Sequence, residues 1–221
     1  MVLTLKPARF DDGDAIAHIM AESFFSMRIQ QRLFPNVSLR TKTENQRMQW
    51  PQRYSASNVR HNKIVDDETG EVVSYANWEF VNVDASELVS NISDLPAGCV
   101  IDTERRSKGV DQAFAEAVGK EMGQLQPEDL PTRPYLTLLG IGTLSKRQGS
   151  GAGGMHMRWA AQVADEKRIP IYIEAAQEAA PFYTRHGYTT IKTVQVDLGP
   201  EDRNPYIISS MIREPEFCSE T

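Results

Sequence analysis

Residues 149–154 read Gly-Ser-Gly-Ala-Gly-Gly, directly after the apolar run YLTLLGIGT (135–143) and the short segment 144–148. A helix-like stretch follows. Strand, glycine turn and helix start together suit a phosphate. Successive backbone N–H groups from 148 to 154 can point into one concavity, and glycine lets an anion approach the backbone closely. A helix beginning near Gly151 adds the positive end of its dipole. Gln148, Gly149, Ser150, Gly151, Ala152, Gly153 and Gly154 are therefore the candidate ligand loop, with Lys146, Arg147 and Arg158 as local positive charge.

Two ligand classes fit such a loop. Gly149, Gly151 and Gly154 spell GxGxxG, and Glu174 lies about 20 residues on, where a dinucleotide-binding unit places its ribose-binding acid. An NAD(P)-binding protein is thus one reading. Three features count against it. Residues 144–148 separate strand from glycines, whereas that turn normally follows its strand at once. The 47 residues after Glu174 are few for the remaining βαβ units. And Gly140 and Gly142 lie inside the preceding strand, which predicts a bulge or a ligand close to the backbone.

The elements that must position these groups can be read from periodicity. LTLKPAR (3–9) predicts a strand. Ile16, Ile19, Met20 and Phe24 recur at helical spacing, with Asp11 or Asp12 as N-cap. Residues 28–35 read as a loop with apolar content, and 39–55 as a mostly polar helix carrying Met48 and Trp50. NKIVDDETGEVVSYANWEFV (62–81) predicts a hairpin around Asp67-Glu-Thr-Gly70. Residues 83–107 are polar and irregular. Phe114, Ala117, Val118, Met122 and Leu125 mark an amphipathic helix ended at Gln126-Pro127. Met155, Trp159 and Val163 share one face of the helix after the glycine loop. IYIEAA (171–176) predicts a strand, EAAPFYTRH a short helix closed by Gly187, and YTTIKTVQVDL and PYIISSMI two further strands. The order is that of a mixed α/β domain over 1–213, with 83–130 as an insertion or variation and 214–221 as a tail.

Gln148-x-x-Gly151-x-Gly153 matches the Q/R-x-x-G-x-G/A signature of the Gcn5-related N-acetyltransferases, the GNAT superfamily. Phe182-Tyr183-Thr-Arg185-His-Gly187-Tyr188 is similar to its late motif of tyrosine, a basic residue, glycine and an aromatic. The sequence resembles that superfamily specifically over 135–198 and by element order over 1–82, with a composition like that of uncharacterised fungal members. The resemblance implies an α/β (α+β) GNAT fold. Its mixed sheet has about seven strands, splayed between strands 4 and 5, with helices on both faces. It also implies acetyl-CoA as cosubstrate, with Arg147 and the loop 148–154 at the pyrophosphate. The backbone of Ile141, Gly142 and Thr143 would hold the pantetheine arm like an added strand.

The implied chemistry is direct attack of an acceptor amine on the thioester. It requires a neutral amine, donors for the oxyanion at the strand 4 bulge, and a route for the thiolate to leave. By resemblance Tyr183 faces the departing sulfur. An amine with a pKa of about 10.4 must lose a proton before it attacks. Glu174, near the splay, is the first candidate to take that proton, then Glu79, then His18. Where the superfamily often has Asn or Ser just after strand 5, this chain has Ala176, and that cofactor contact is lost. A CoA-binding module without catalysis is the alternative from another functional class. Phe24, Phe25, Leu33 and Phe34, with strands 6 and 7, are expected to surround the acceptor, a small amine or a peptide.

The bulk composition bounds the rest. The chain has 221 residues, 24% charged and 40% hydrophobic, with formal net charge −6. An acidic chain argues against a nucleic-acid partner. No apolar run approaches the roughly 18 residues of a membrane span. Cys99 and Cys218 form neither a disulfide framework nor a CxxC site, and no histidine has a partner at metal spacing, so no metal is expected. Without a signal-peptide core, a cytoplasmic monomer or homodimer is the expectation. Asn36-Val-Ser and Asn91-Ile-Ser match the glycosylation pattern by chance.

Overall fold

The computed structural model describes residues 2–84, 94–128, 130–202 and 204–216. Asn91-Ile-Ser and Cys218 lie outside them. The sheet is mixed and seven-stranded, in the order β1-β2-β3-β4-β5-β7-β6. Its strands are β1 (Leu3–Pro7), β2 (Val59–Asp66), β3 (Val72–Val81), β4 (Tyr135–Thr143), β5 (Ile171–Ala176), β6 (Thr189–Val196) and β7 (Tyr206–Arg213). The helices are α1 (Gly13–Phe25), α2 (Arg28–Leu33), α3 (Leu39–Tyr54), α4 (Gln112–Met122), α5 (Ala152–Lys167) and α6 (Ala180–Thr184). Only β4 and β5 are parallel; every other pair is antiparallel. A doubly wound dinucleotide sheet would be parallel throughout its core, so this topology removes the NAD(P) reading.

Alternation along the central strands divides their side chains between two faces. Ala76, Trp78 and Phe80 of β3, Leu136 of β4, and Ile171, Ile173 and Ala175 of β5 pack under α5 with Met157, Ala160 and Ala164. Tyr75 faces the other way, under α1 and α3, with Ile16, Ile19, Met20, Trp50 and Tyr54. Below α3 two stacked rings, His61 and Tyr75, meet at 2.6 Å between Nδ1 and the hydroxyl. His61 Nε2 is 3.1 Å from the Arg53 carbonyl, which can only accept, so Nε2 carries the proton and Nδ1 takes the Tyr75 hydroxyl hydrogen. His61 is thereby a satisfied core residue.

Side-chain caps explain two of the helix starts. Ser38 accepts the Thr41 N–H at the start of α3, and Asp111 accepts the Phe114 N–H at the start of α4. Asp12 occupies the N-cap of α1, yet its carboxylate turns to the Arg9 N–H and the Lys63 ammonium. Gly187, expected as the C′ glycine of α6, stands one residue further on, two past the C-cap Arg185, at φ 84°.

Two expectations need correction. Residues 28–33, expected as loop, form α2; it lacks a side-chain cap and is held instead by packing of Ile29 and Leu33 against α4, β6 and β7. The core-facing side of α5 is also turned from the expected one. Ala152, His156, Met157, Ala160 and Ala164 are buried, while Met155, Trp159 and Val163 sit at its margins. Small residues let this helix lie close on the sheet, a preference that hydrophobicity alone does not register.

Candidate functional site

The sheet opens between β4 and β5. These strands pair only at Leu136↔Ile171 and Thr137↔Tyr172. Beyond that the facing edges diverge, leaving 138–143 of β4 and 173–176 of β5 unpaired toward each other. β4 keeps its other edge on β3, and β5 keeps its other edge on β7. The β3–β4 register slips between Asn77 and Trp78, which face Gly140 and Leu138, so Leu139 is the extra residue of a bulge. The expected bulge is therefore present, just before Ile141, Gly142 and Thr143 on the open edge.

Gly140 and Gly142 have an immediate structural cause. A Cβ on Gly140 would meet Met20 Cε at 2.8 Å, and one on Gly142 would meet Ser23 Oγ at 2.7 Å. Helix α1 lies directly on both. On the opposite face Ser74 Oγ donates to the Gly142 carbonyl at 2.7 Å and contacts Thr143 Oγ1 at 2.8 Å. Having given its one hydrogen, Ser74 Oγ can only accept from His156 Nε2 at 3.2 Å. His156 is fully buried, and burial brings it down to about 3, so it is the neutral Nε2–H tautomer. The first turn of α5 is tied by this chain to the open edge of β4.

The glycine loop leads from that edge into α5. Gly149 (φ 78°) and Gly151 (φ 88°) adopt the left-handed conformation, and a Cβ on either would meet nothing within 4 Å. Open space therefore lies above the backbone here. The N–H groups of Gln148 and Ser150 turn inward to Ser145 O and Arg147 O, so the donor set is smaller than the run 148–154. The N–H groups of Gly149, Gly151, Ala152, Gly153 and Gly154 have no acceptor among the described residues. Met155 N–H makes the first bond of the helix, to Gly151 O at 3.1 Å. Orphan donors at a helix start, facing open space, fit an anion such as a pyrophosphate.

The surrounding cations divide. Arg147 contacts Asp66 at 3.0 Å and Glu71 at 3.1 Å, and Lys146 reaches Glu71 at 2.6 Å. These pairs fasten the loop to the β2–β3 hairpin, and Glu22 of α1 accepts the Ser145 N–H at 3.2 Å. Arg158 lies beside Gly154 with His186, and has no carboxylate partner among the described residues. Gly153 admits Phe182 of α6, whose ring a Cβ would meet at 3.2 Å.

Tyr183 packs in the α5-side cluster with Ile173 and Ala175 of the open half of β5. It is 5% exposed, and burial raises its phenol, which stays protonated. Its hydroxyl has no partner among the described residues. Glu174, Tyr172 and Ala176 point to the opposite face. Glu174 is reached by solvent on one side, yet the protein around it pushes its carboxyl up, against the opposing effect of a 3.1 Å hydrogen bond from the Tyr172 hydroxyl. Glu79 lies on that same face, in line with Thr137 and Tyr172 across the strands. His18 sits on the exposed side of α1. Ala176 packs into the α4–β6 cluster and offers no side-chain hydrogen bond.

Between α1, α3 and strands β2–β4 lies a cavity of about 670 Å³, bordered by Leu139 of the bulge and by Phe24, Asn77 and Glu79. Phe25 and Phe34 instead line a separate recess, where the buried Lys42 ammonium lies 5.4 and 5.0 Å from their ring centroids. Leu33 is packed into the α4–β6–β7 cluster. The main cavity was not foreseen, because it is made by α3 roofing β3, a contact distant in sequence. Among the described residues no group of His, Cys, Asp and Glu could hold a metal ion, and no helix is long and apolar enough to cross a membrane.

No protein-family model matches the sequence, and no curated protein matches it. Solved structures do. A histone acetyltransferase HPA2-related acetyltransferase from Corynebacterium glutamicum is 19% identical, with 99% of each chain covered and a TM-score of 0.64. The Drosophila melanogaster polyamine N-acetyltransferase, which forms N-acetylagmatine, is 10% identical over 96% of this chain and 100% of its own, at a TM-score of 0.63. The PaiA N-acetyltransferase from Thermoplasma acidophilum, in complex with coenzyme A, is 10% identical over 97% and 99%, at 0.52. The fold is the GNAT fold. None of the three is fungal, so the compositional likeness to fungal members gains no support.

Proposed function

We propose that this protein, acting as one domain over 1–213, is an acetyl-CoA-dependent N-acetyltransferase. The observation that carries the reading is a pair of features in one line. The β4–β5 edges open beside a bulge, and the opening runs into a loop whose N–H groups lack acceptors at the start of α5. Gly149 and Gly151–Gly154 hold the pyrophosphate, with Arg158 adding charge from the side, while Arg147 braces the loop. The exposed edge at Ile141, Gly142 and Thr143 pairs with the amides of the pantetheine arm. Bound there, acetyl-CoA supplies the acetyl thioester.

The chain's own groups divide between the two sides of the opening. The amine approaches from the α1–α3 face, where Glu174 takes its proton; a carboxyl pushed up by burial is a better base than an ordinary one. A backbone N–H of the bulge at Leu139–Gly140 would stabilise charge that develops on the acyl oxygen. Tyr183 reaches the opening from the α5 face and donates its phenolic hydrogen toward the sulfur side. Amine and leaving group thus use opposite faces of one sheet.

A second reading, coenzyme A binding without catalysis, draws on Ala176, which leaves one side of the cofactor arm without a side-chain donor or acceptor. A thermal-shift panel with acetyl-CoA, CoA, NAD and NADP, followed by thiol release with amines, separates the readings. Ligand at about 100 times its Kd stabilises by about 2.7 kcal/mol, a rise of roughly 5–11 °C for a chain of this size. A shift with CoA species and no thiol release with any amine would favour the second reading, and no CoA shift would overturn both.

A further inference from the structure

Asn77 stands out in the wall of the main cavity. It is 7% exposed, lies at the bulge opposite Gly140, and its amide has no side-chain hydrogen bond among the described residues. Its Oδ1 would be 3.2 Å from a Cβ on Gly140. Both polar atoms of the amide open to the cavity, where a group of the ligand can meet them. Two residues along the same strand and face, Glu79 borders the cavity, with one carboxylate oxygen taking the Asn58 amide at 2.9 Å. Among the described residues that line the cavity Glu79 is the one carboxylate, Glu174 lying outside this lining, and Arg53 stands in the same wall.

Resting on the acetyl-transfer reading, we propose that this cavity selects its acceptor by Asn77 and Glu79. The acceptor is a singly charged primary amine bearing uncharged hydroxyl groups, as in an amino sugar. Glu79 draws the incoming ammonium group into the cavity before its proton passes to Glu174, and Asn77 holds a hydroxyl close to the reacting nitrogen. A diamine would bring a second cation to a wall with one carboxylate and an arginine. A hydrocarbon amine would leave the Asn77 amide unanswered. Asn77 is thus a specificity-determining group set beside the bulge where the acyl oxygen is held.

The test uses the full chain. Acetyl-CoA binding is first read by thermal shift; no shift removes the acetyl-transfer reading itself and leaves nothing for the acceptor proposal to rest on. Given a shift, thiol release is followed with D-glucosamine, cadaverine and phenethylamine. Glucosamine is expected to have the lowest KM, by roughly tenfold, since a site built for a hydroxyl rejects acceptors that lack one. Each variant is then compared with the parent on the same amine, which cancels the amine's intrinsic reactivity. Asn77→Leu should raise KM for glucosamine about tenfold with little change in kcat, and lower KM for phenethylamine, which no longer leaves an amide unanswered. Asn77→Asp should improve cadaverine, because it adds the missing second carboxylate. Asn77→Ser serves in place of Asn77→Leu should the latter not fold. The proposal is overturned by a lower KM for cadaverine or phenethylamine than for glucosamine. It is equally overturned by acetyl-CoA binding with no turnover of any of the three, or by an Asn77 variant that shifts all acceptors alike.

Discussion

Replacing Gly151 by Ala and by Asp separates the loop's conformation from its charge preference. Gly151 sits at φ 88°, and a Cβ there meets nothing within 4 Å. Neither substitution clashes, so the folding cost is the left-handed strain alone, about 1–2 kcal/mol. Both variants should therefore lose roughly 2–8 °C in Tm. Acetyl-CoA affinity should part them. The Asp carboxylate would stand about 6 Å from an anion held by the orphan N–H groups, and at an effective dielectric of about 20 the repulsion is about 3 kcal/mol. That is roughly a hundredfold in Kd beyond whatever Gly151→Ala loses.

Isothermal calorimetry at low and at high salt reads both effects. The excess loss of Gly151→Asp over Gly151→Ala should shrink as the screening length falls to about 3 Å in 1 M salt. Equal affinity in Gly151→Asp and the parent would remove this loop from ligand binding altogether. Equal weakening in both variants, unchanged by salt, would mean that backbone shape matters and the orphan donors do not meet an anion.

Tyr183→Phe deletes a hydroxyl without a partner among the described residues, so Tm should hold while turnover falls on the order of a hundredfold and CoA affinity stays put; an unchanged kcat takes Tyr183 out of the mechanism. Gly142→Ala drives a methyl onto Ser23 and Ile19 of α1 and should lower stability by about 1–3 kcal/mol. Gly140→Ala meets the flexible end of Met20 at 2.8 Å and the Asn77 side-chain oxygen at 3.2 Å, both able to give, and should be milder; melting curves that rank them the other way would refute the close approach of α1. Burial brings His61 to about 4 and His156 to about 3, so below its ordinary value of 6.5 each binds protons in the unfolded chain and not in the folded one. Stability is full above pH 6.5 and falls as pH drops, by about 2 kcal/mol per histidine at pH 5; a His156→Gln variant with an equally steep profile between pH 7 and 5 would show that His156 does not titrate this way.

What could be read in advance follows from range. The hairpin around Asp67–Gly70, the strand 135–143 and the loop–helix junction at Gly151 are local matters of turn chemistry and periodicity, and they stand where the sequence puts them. Helix α2 was hidden because its stability comes from α4, β6 and β7 rather than from a cap or an apolar stripe of its own. The turned face of α5 was hidden because its contact side is built mainly from small residues, three alanines with one histidine and one methionine. Strand glycines signalled the bulge, but their cause is Met20 and Ser23, more than a hundred residues earlier. Asn77 carried a faint signal, a polar residue amid the buried run Tyr75–Phe80. Its meaning needs the cavity, and the cavity needs α3.

The open edges of β4 and β5 are what tie fold to function. A strand edge inside a sheet presents N–H and C=O groups that gain about 0.5–1.5 kcal/mol for each hydrogen bond made and lose more when buried unmade. In this chain neither edge can close on the other. β5 is held on its far side by β7 across all six of its residues, from Ile171↔Arg213 to Ala176↔Ile208, and β4 is held by β3 on either side of the bulge. Drawing the two edges together would break one of those ladders or drive Gly142 away from the Ser74–His156 tie. The opening is thus maintained by pairing elsewhere, and in the proposed function its edges would offer donors and acceptors to an extended amide-bearing arm. The same rigidity fixes where its ends must go. In the proposed function, one end of the cosubstrate would meet the orphan N–H groups at the start of α5, and the other would stop at the bulge, between the Glu174 carboxylate of one face and the Tyr183 phenol of the other.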